Sequence, residues 1–366
     1  MAGRIVLFGA TGYTGRLTAD AMVARGVRPV LSARNVERLR SLGDELGGLE
    51  IAVADVSRPD SVRALVEQGD VLVTTVGPFT RWGDPAAEAA VTAGAHYLDS
   101  TGEPAFIRRI FEEYGPRAES ARCGMVTAFG YDWVPGNLAG ALALRDAGGQ
   151  ATRVAIGYFI VGDAAPRPSG GTAASMTSVM LEPAFAWRDG AIRTERGGKR
   201  IASFDVKGRR RQGISVGASE HFALPRRFPS LREVDVYLGW FGPMSRPFQL
   251  MSSGLSLATM MPGVKSGLDA VSSRLVSGST GGPDAASRAK SESHIVAVAC
   301  DDDGRSLAEV RVGGINHYDF TGGILAWGAQ RAASGGMQKS GALGPVEAFG
   351  LDELEAGCRE VGLKRL

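Results

Sequence analysis

The sequence predicts an α/β protein of two domains. A Rossmann-type, doubly wound parallel sheet comes first, followed by a second α+β domain with a mixed or antiparallel sheet. Three observations predict this. The chain opens on an apolar run that stops at glycine, "VLFGATGYTGRL", with glycines at 9, 12 and 15. Short apolar runs and helix-like segments then alternate up to residue 145, the pattern of a parallel sheet covered on both faces. Near residue 150 the runs lengthen and alternate polar with apolar, which suits antiparallel strands. A chain of 366 residues is comfortable for two domains.

The elements follow in order. "RIVLFG" is a strand buried on both faces, and "GRLTADAMVARG" is a helix stopped at Gly26. "RPVLSAR" and "VERLRSLGDEL" are the second strand and helix, and "EIAVADV" the third strand. "SRPDSVRALVEQG" reads as a helix capped by Ser57, with Pro59 in its first turn and Gly69 at its end. "DVLVTTVG", "HYLDS" and "GMVTAFG" are strands four to six, separated by "DPAAEAAVTAG" and "PAFIRRIFEEYGPRAESA". In the second domain, strands are expected at "TRVAIGYFIVG", Ile201–Val206, Glu233–Trp240, Glu292–Cys300 and Ser306–Ile315. "CDDDGRS" forms a hairpin turn between the last two, and "DELEAGCREVGL" is a short amphipathic helix. There are no internal repeats.

Composition narrows the function classes. Apolar residues make up 44% and charged residues 22%, and the net charge is +2. That balance argues against nucleic-acid partners, whose phosphates demand many cations. "KGRRRQG", Lys207 to Gly213, reads as a solvated hairpin turn. Three dispersed cysteines and four histidines without ligand spacing give no disulfide framework and no metal site. No signal peptide or membrane span is expected, so the protein reads as cytoplasmic. "YLGWFGPMSRPFQLMSSGLSLATMMPG" holds four methionines. It suits an apolar pocket, a homodimer contact or a peripheral membrane contact.

The glycine loop follows a strand and opens a helix, the context that makes it a dinucleotide cradle. Gly9 permits the sharp turn, Gly12 lets backbone amides approach the pyrophosphate, and Gly15 lets the helix pack closely. The helix N-terminus offers unpaired N–H groups and partial positive charge. Thr11 and Thr14 add hydroxyls, and Tyr13 lies within the loop. The turn after strand two, "SARN", lacks the acidic residue that would grip a ribose 2′-hydroxyl. Arg34 stands there instead, with Ser32 and Asn35 as partners, so the expected cofactor is NADP(H). Asp55 and Val56 would flank the adenine. Val76, Gly77, Pro78 and Phe79 would run along the ribose and nicotinamide.

The Tyr-x-x-x-Lys pair of short-chain dehydrogenases is missing, since no tyrosine has a lysine four residues on. A serine-hydrolase elbow is not expected either. "GATGYTGRL", "SARNVERL", "TTVGPF", "YLDSTGE" and "FGYDWVPGNLAG" resemble the saccharopine dehydrogenase-like reductases, and within them the trans-acting enoyl reductases. "PSGGTAAS" and "GPDAASRAKS" carry the likeness into the second half, while Tyr237 to Gly278 matches nothing recognisable. The resemblance implies a Rossmann domain (1–145), a substrate and dimerisation domain (146–334), and a C-terminal segment from about 335 to 366 returning to the first. It also implies reduction of C=C or C=N bonds, with lipid or polyketide chains as substrates in the enoyl reductase branch.

Strand ends supply the substrate side. Asp99, Thr101 and Glu103 close strand five and are expected at a cleft mouth. Tyr131, Asp132 and Trp133 follow strand six. Tyr131 is the candidate proton donor and Asp132 its orienting group, with capping of the helix after Pro135 as the alternative for Asp132. Gly170 and Gly171 offer backbone for close approach to substrate. The reading is an NADP(H)-dependent reductase of a conjugated C=C bond in a hydrophobic small molecule. An imine reductase and a non-catalytic NADP(H) sensor are the alternatives.

Overall fold

The computed structural model describes residues 3–162, 183–239 and 281–366. Gly170, Gly171 and most of the methionine-rich segment lie outside them. The chain runs β1 (Ile5–Phe8), α1 (Tyr13–Ala24), β2 (Val30–Ala33), α2 (Val36–Glu45), β3 (Ile51–Val53), α3 (Pro59–Arg63), β4 (Val71–Thr74), α4 (Phe79–Trp82) and α5 (Asp84–Ala93). Next come β5 (His96–Asp99), α6 (Pro104–Arg109), a π-helical turn, α7 (Gly115–Ser120), β6 (Gly124–Val126) and α8 (Val134–Asp146). Then follow β7 (Arg153–Gly162), β8 (Pro183–Arg188), β9 (Ala191–Arg196), β10 (Ile201–Val206), β11 (Arg209–Ser215), α9 (Glu220–Arg227) and β12 (Glu233–Leu238). The rest is α10 (Ala285–Arg288), β13 (Ser291–Cys300), β14 (Ser306–Gly314), α11 (His317–Ala333), β15 (Gly341–Ala342), α12 (Pro345–Phe349), α13 (Leu351–Glu360) and β16 (Leu363–Arg365).

One compact unit holds Met1–Gly102, Phe106–Val134 and Ile315–Leu363. Its seven-stranded parallel sheet has the order β15-β6-β5-β4-β1-β2-β3. The chain reverses direction across the sheet between β1 and β4, which makes the carboxyl ends of these strands the ligand edge. β1, β2 and β4 are buried along their whole length, with Ile5 opposite Val71 and Val6 opposite Val30. This is why they read as continuous apolar runs.

α11 belongs to this unit. A side chain at Gly322 would come within 3.0 Å of the Leu17 backbone, and one at Gly328 within 2.3 Å of the Phe129 ring. Both glycines let the helix lie close against α1 and the sheet. The return of the chain therefore starts at Ile315, earlier than the position near 335 expected from the sequence.

The other unit comprises Glu103–Ala105, Pro135–Gly314 and Lys364–Leu366. Its sheet is mixed: β12 pairs with β7 in parallel, while β7–β13, β13–β14, β10–β11 and β11–β12 are antiparallel. The expected strands at 201–206, 233–240, 292–300 and 306–315 correspond to β10, β12, β13 and β14 within one or two residues. Phe159, Phe204, Val206, Tyr237 and Val296 form one apolar cluster on this sheet.

Two local expectations need correction. α3 covers only Pro59–Arg63, with Arg58 at its cap position. Ser57 does not cap it, because the Ser57 amide and hydroxyl both donate to Asp55 Oδ1 (2.9 and 2.8 Å). The basic cluster at 207–213 is a turn only at Lys207 and Gly208, and Arg209 onward forms β11.

Candidate active site

The glycine loop separates structural from ligand-facing glycines. Gly9 has φ +92°, and a side chain there would lie 2.7 Å from Thr75 Oγ1. A side chain on Gly15 would lie 2.1 Å from the carbonyl oxygen of Gly9. Both are demanded by the fold itself. Gly12 has an ordinary φ of −78°, and among the described residues an added Cβ would meet Gly9 O at 3.3 Å, a tight contact but not a clash. Gly12 also caps α1 without a side-chain hydrogen bond, and the first turn carries no acidic residue. The Gly12 amide donates to Gly9 O at 2.9 Å, which closes the turn, and the positive dipole of α1 beside it fits a pyrophosphate.

At the adenosine end, Arg34 is exposed and makes no ion pair among the described residues. Its charge, together with hydrogen bonds from Ser57, holds the Asp55 carboxyl below the usual range; the hydrogen bonds contribute most. The other two members of "SARN" act differently from the expectation. Asn35 caps α2, its Oδ1 accepting from Arg38 N at 2.9 Å. Ser32 is sealed within β2, and its carbonyl accepts from the amides of Gly9 (2.8 Å) and Ala10 (3.1 Å). Its hydroxyl therefore does not reach a ribose phosphate, while its backbone shapes the loop.

In the loop after β4, Gly77 is exposed and Val76 and Pro78 are partly so. Phe79 turns inward and packs its ring 5.6 Å from Phe106. Thr11, Tyr13, Thr14 and Val56 all keep some exposure.

Asp99 and Thr101 are fully buried rather than at a mouth. Asp99 accepts from Thr101 N (2.9 Å), Thr127 Oγ1 (2.8 Å) and Ala128 N (2.8 Å), and thereby ties the end of β5 to the loop after β6. Burial pushes its pKa up to about 6 against the pull of these donors. Trp133 is buried too, and Glu103 is buried within the other unit.

The loop after β6 brings together the candidate catalytic residues. Tyr131 is buried, and its amide donates to Thr321 Oγ1 at 3.0 Å. Asp132 keeps part of its surface open, but its Oδ1 is sealed and has no hydrogen-bond partner among the described residues. Burial pushes this carboxyl up to about 7. The capping alternative is not what the structure shows, since the Gly136 amide near the start of α8 donates to Tyr158 OH (2.7 Å).

Two residues that sequence reasoning passed over complete this cluster. His317 lies 5.6 Å from the Tyr131 ring and 4.1 Å from Tyr318, and Tyr318 stands edge-on to Tyr13 of the glycine loop at 5.1 Å. The available signal was Asn316, a helix-capping residue ahead of an apolar stretch. Its Oδ1 accepts from Tyr318 N at 2.8 Å.

"GISVG", Gly213 to Gly217, does carry the Gly-x-Ser-x-Gly pattern of a hydrolase elbow. It is not an elbow in the structure, in keeping with the expectation of no hydrolase. Ser215 ends an antiparallel strand, is buried, and its Oγ accepts from Arg200 N at 3.0 Å.

Residues 9–136 match the NAD(P)H-binding family model. A putative trans-acting enoyl reductase of Mycobacterium tuberculosis is 38% identical over 186 residues, 48% of this chain and 44% of that protein. The trans-acting enoyl reductase of Mycobacterium ulcerans is 39% identical over 140 residues, 37% of this chain and 34% of that protein. The matched region thus spans less than half of these relatives' length. In fold, the chain is similar to saccharopine dehydrogenase of Saccharomyces cerevisiae, with a TM-score of 0.61 at 12% identity over 100% of this chain and 99% of that one. Homospermidine synthase of Legionella pneumophila, solved with NAD, gives a TM-score of 0.61 at 11% identity over 100% and 92% of the two chains. The resemblance to trans-acting enoyl reductases therefore holds over the matched region, and that to saccharopine dehydrogenase holds for the fold. Among the described residues no helix is long and apolar enough to cross a membrane.

Proposed function

We propose that this chain, which carries an NAD(P)H-binding region on a saccharopine dehydrogenase-type fold and has trans-acting enoyl reductase relatives, is an NADP(H)-dependent reductase of conjugated C=C bonds in hydrophobic acyl or polyketide-like molecules. One observation carries the cofactor half of the reading. Clashes under 3.0 Å bar side chains at Gly9 and Gly15 but not at Gly12, where α1 begins with no acidic residue in its first turn. Arg34 favours NADP(H) over NAD(H), because its guanidinium is free to pair with a 2′-phosphate.

In this reading the first turn of α1 holds the pyrophosphate. Val76, Gly77 and Pro78 line the path of the ribose and nicotinamide. When bound, NADPH supplies a hydride from its nicotinamide C4 to the electron-poor carbon of the double bond. Tyr131 delivers the proton to the adjacent carbon, and Asp132, protonated below about pH 7, is the second proton-holding group of this loop. Asp99 sets the position of this loop through its bond to the Ala128 amide. Burial of Tyr131 and Trp133 keeps water from the proton-transfer step.

The test is loss of nicotinamide absorbance when protein and NADPH meet panels of enoyl thioesters, enones and cyclic imines. Turnover with the enoyl or enone panel supports the reading. Turnover with cyclic imines alone replaces it with imine reduction.

A further inference from the structure

His317 is the first residue of α11, a helix of 17 residues. Its Nδ1 is sealed from solvent and has no hydrogen-bond partner among the described residues, an uncommon state for a buried polar atom. The ring packs 4.1 Å from Tyr318 and 5.6 Å from Tyr131, and the backbone beneath it is held in place. Thr321 Oγ1 donates to the His317 carbonyl (2.8 Å) and accepts from the Tyr131 amide (3.0 Å), so one hydroxyl fixes His317 and Tyr131 together. A sealed nitrogen is less costly as a bare acceptor than as an orphaned N–H, which puts the ring proton on Nε2. Burial lowers the imidazole pKa to about 4, and the start of a helix also disfavours a cation. The ring is therefore a neutral N–H donor beside the candidate proton donor.

A neutral imidazole in this setting suits one kind of charge. Reduction of an iminium removes positive charge and calls for a nearby anion. Reduction of a conjugated carbonyl creates negative charge on oxygen and calls for neutral donors. We propose that His317 is a catalytic residue whose Nε2–H donates a hydrogen bond to the carbonyl oxygen of an α,β-unsaturated acyl substrate. This rests on the reductase reading above and narrows its substrate class to conjugated carbonyl compounds. The step balances. A hydride from reduced nicotinamide forms a C–H bond at the β-carbon, and the π electrons move to the carbonyl oxygen as an enolate held by His317. A proton then arrives at the α-carbon as the carbonyl reforms. NADPH is oxidised and the C=C bond reduced.

The experiment uses a cinnamoyl thioester as a chromophoric probe, mixed with the protein and NADP⁺ so that no hydride is available. A hydrogen bond to its carbonyl shifts its absorbance to the red. The variants are His317→Ala and His317→Gln, the second keeping an N–H donor, with thermal unfolding recorded for both. The expected result is a red shift with the unmodified protein that is lost in His317→Ala and kept at least in part in His317→Gln. NADPH affinity should be unchanged, and kcat for reduction should fall about 100-fold in His317→Ala. An equal red shift in His317→Ala overturns the proposal. So does absence of any shift in an unmodified protein that still oxidises NADPH with enoyl thioesters. Absence of both shift and turnover overturns it together with the reductase reading.

Discussion

Gly12→Ala separates a dinucleotide cradle from a tight turn. The backbone at Gly12 (φ −78°, ψ 168°) is one that alanine adopts freely, and among the described residues the new Cβ meets Gly9 O at 3.3 Å, a tight contact relieved by a shift of a few tenths of an ångström. Alanine is a poorer helix cap than glycine, at a cost of up to about 1 kcal/mol. Restricting the unfolded chain returns about 0.4–1 kcal/mol. The two terms offset, so unfolding should change little. Binding should not be spared. A methyl group at this position keeps the pyrophosphate away from the amides of the first turn, and a hydrogen bond to a charged group contributes about 1.5–3 kcal/mol. Loss of one such bond weakens NADPH binding about 10- to 100-fold. Titration of nicotinamide fluorescence, paired with thermal unfolding, reads both quantities. An unchanged NADPH affinity at unchanged unfolding temperature would refute the assignment of this loop to the pyrophosphate.

The remaining predictions act on other parts of the same account. Gly15→Ala drives a methyl group into the Gly9 carbonyl, 2.1 Å away, and should destabilise the fold by about 1–3 kcal/mol, seen as a lowered denaturation midpoint. Arg34→Ala should weaken NADP(H) binding about tenfold or more while sparing NAD(H), read by parallel titrations with both cofactors; equal loss for both would remove Arg34 from the 2′-phosphate. Asp132→Asn should alter the pH dependence of stability. The folded carboxyl holds its proton up to about pH 7, well above the ordinary 3.8 that an unfolded chain would show. The folded state thus binds more protons between these limits, and its stability is full at low pH and falls as pH rises through about 7. Asparagine removes that slope, so urea denaturation should show the variant gaining on the parent by a few kcal/mol between pH 5 and pH 8.

β1, β2 and β4 were legible because they are buried on both faces and announce themselves as unbroken apolar runs, whereas β15, only Gly341–Ala342, was too short to announce itself. The glycine spacing was equally plain, although only the structure shows that Gly9 and Gly15 are steric necessities and Gly12 is not. α11 escaped notice for a physical reason. "HYDFTGGILAWGAQRAA" is apolar nearly all round, and its glycines lower helix propensity while permitting its close approach to α1 and the sheet. Missing that helix also hid His317 and Tyr318, which reach the glycine loop only through a contact some three hundred residues distant in sequence. Strand ends predicted Asp99 as a ligand-side group, but a strand-end carboxylate can turn inward when three donors converge on it. β8 and β9 were not legible, because their sequence carries arginines and glutamates at positions that pair into a salt-bridge network with Asp235.

The most direct measurement of the central claim follows the hydride itself. The protein would be mixed with NADPH carrying deuterium at nicotinamide C4 and an unsaturated acyl thioester, and the product analysed by mass spectrometry and NMR. The account predicts NADPH oxidation with one deuterium on the β-carbon of a saturated thioester. Unoxidised NADPH across the whole range of conjugated carbonyl substrates, or deuterium delivered only to the carbon of a cyclic imine, would contradict it.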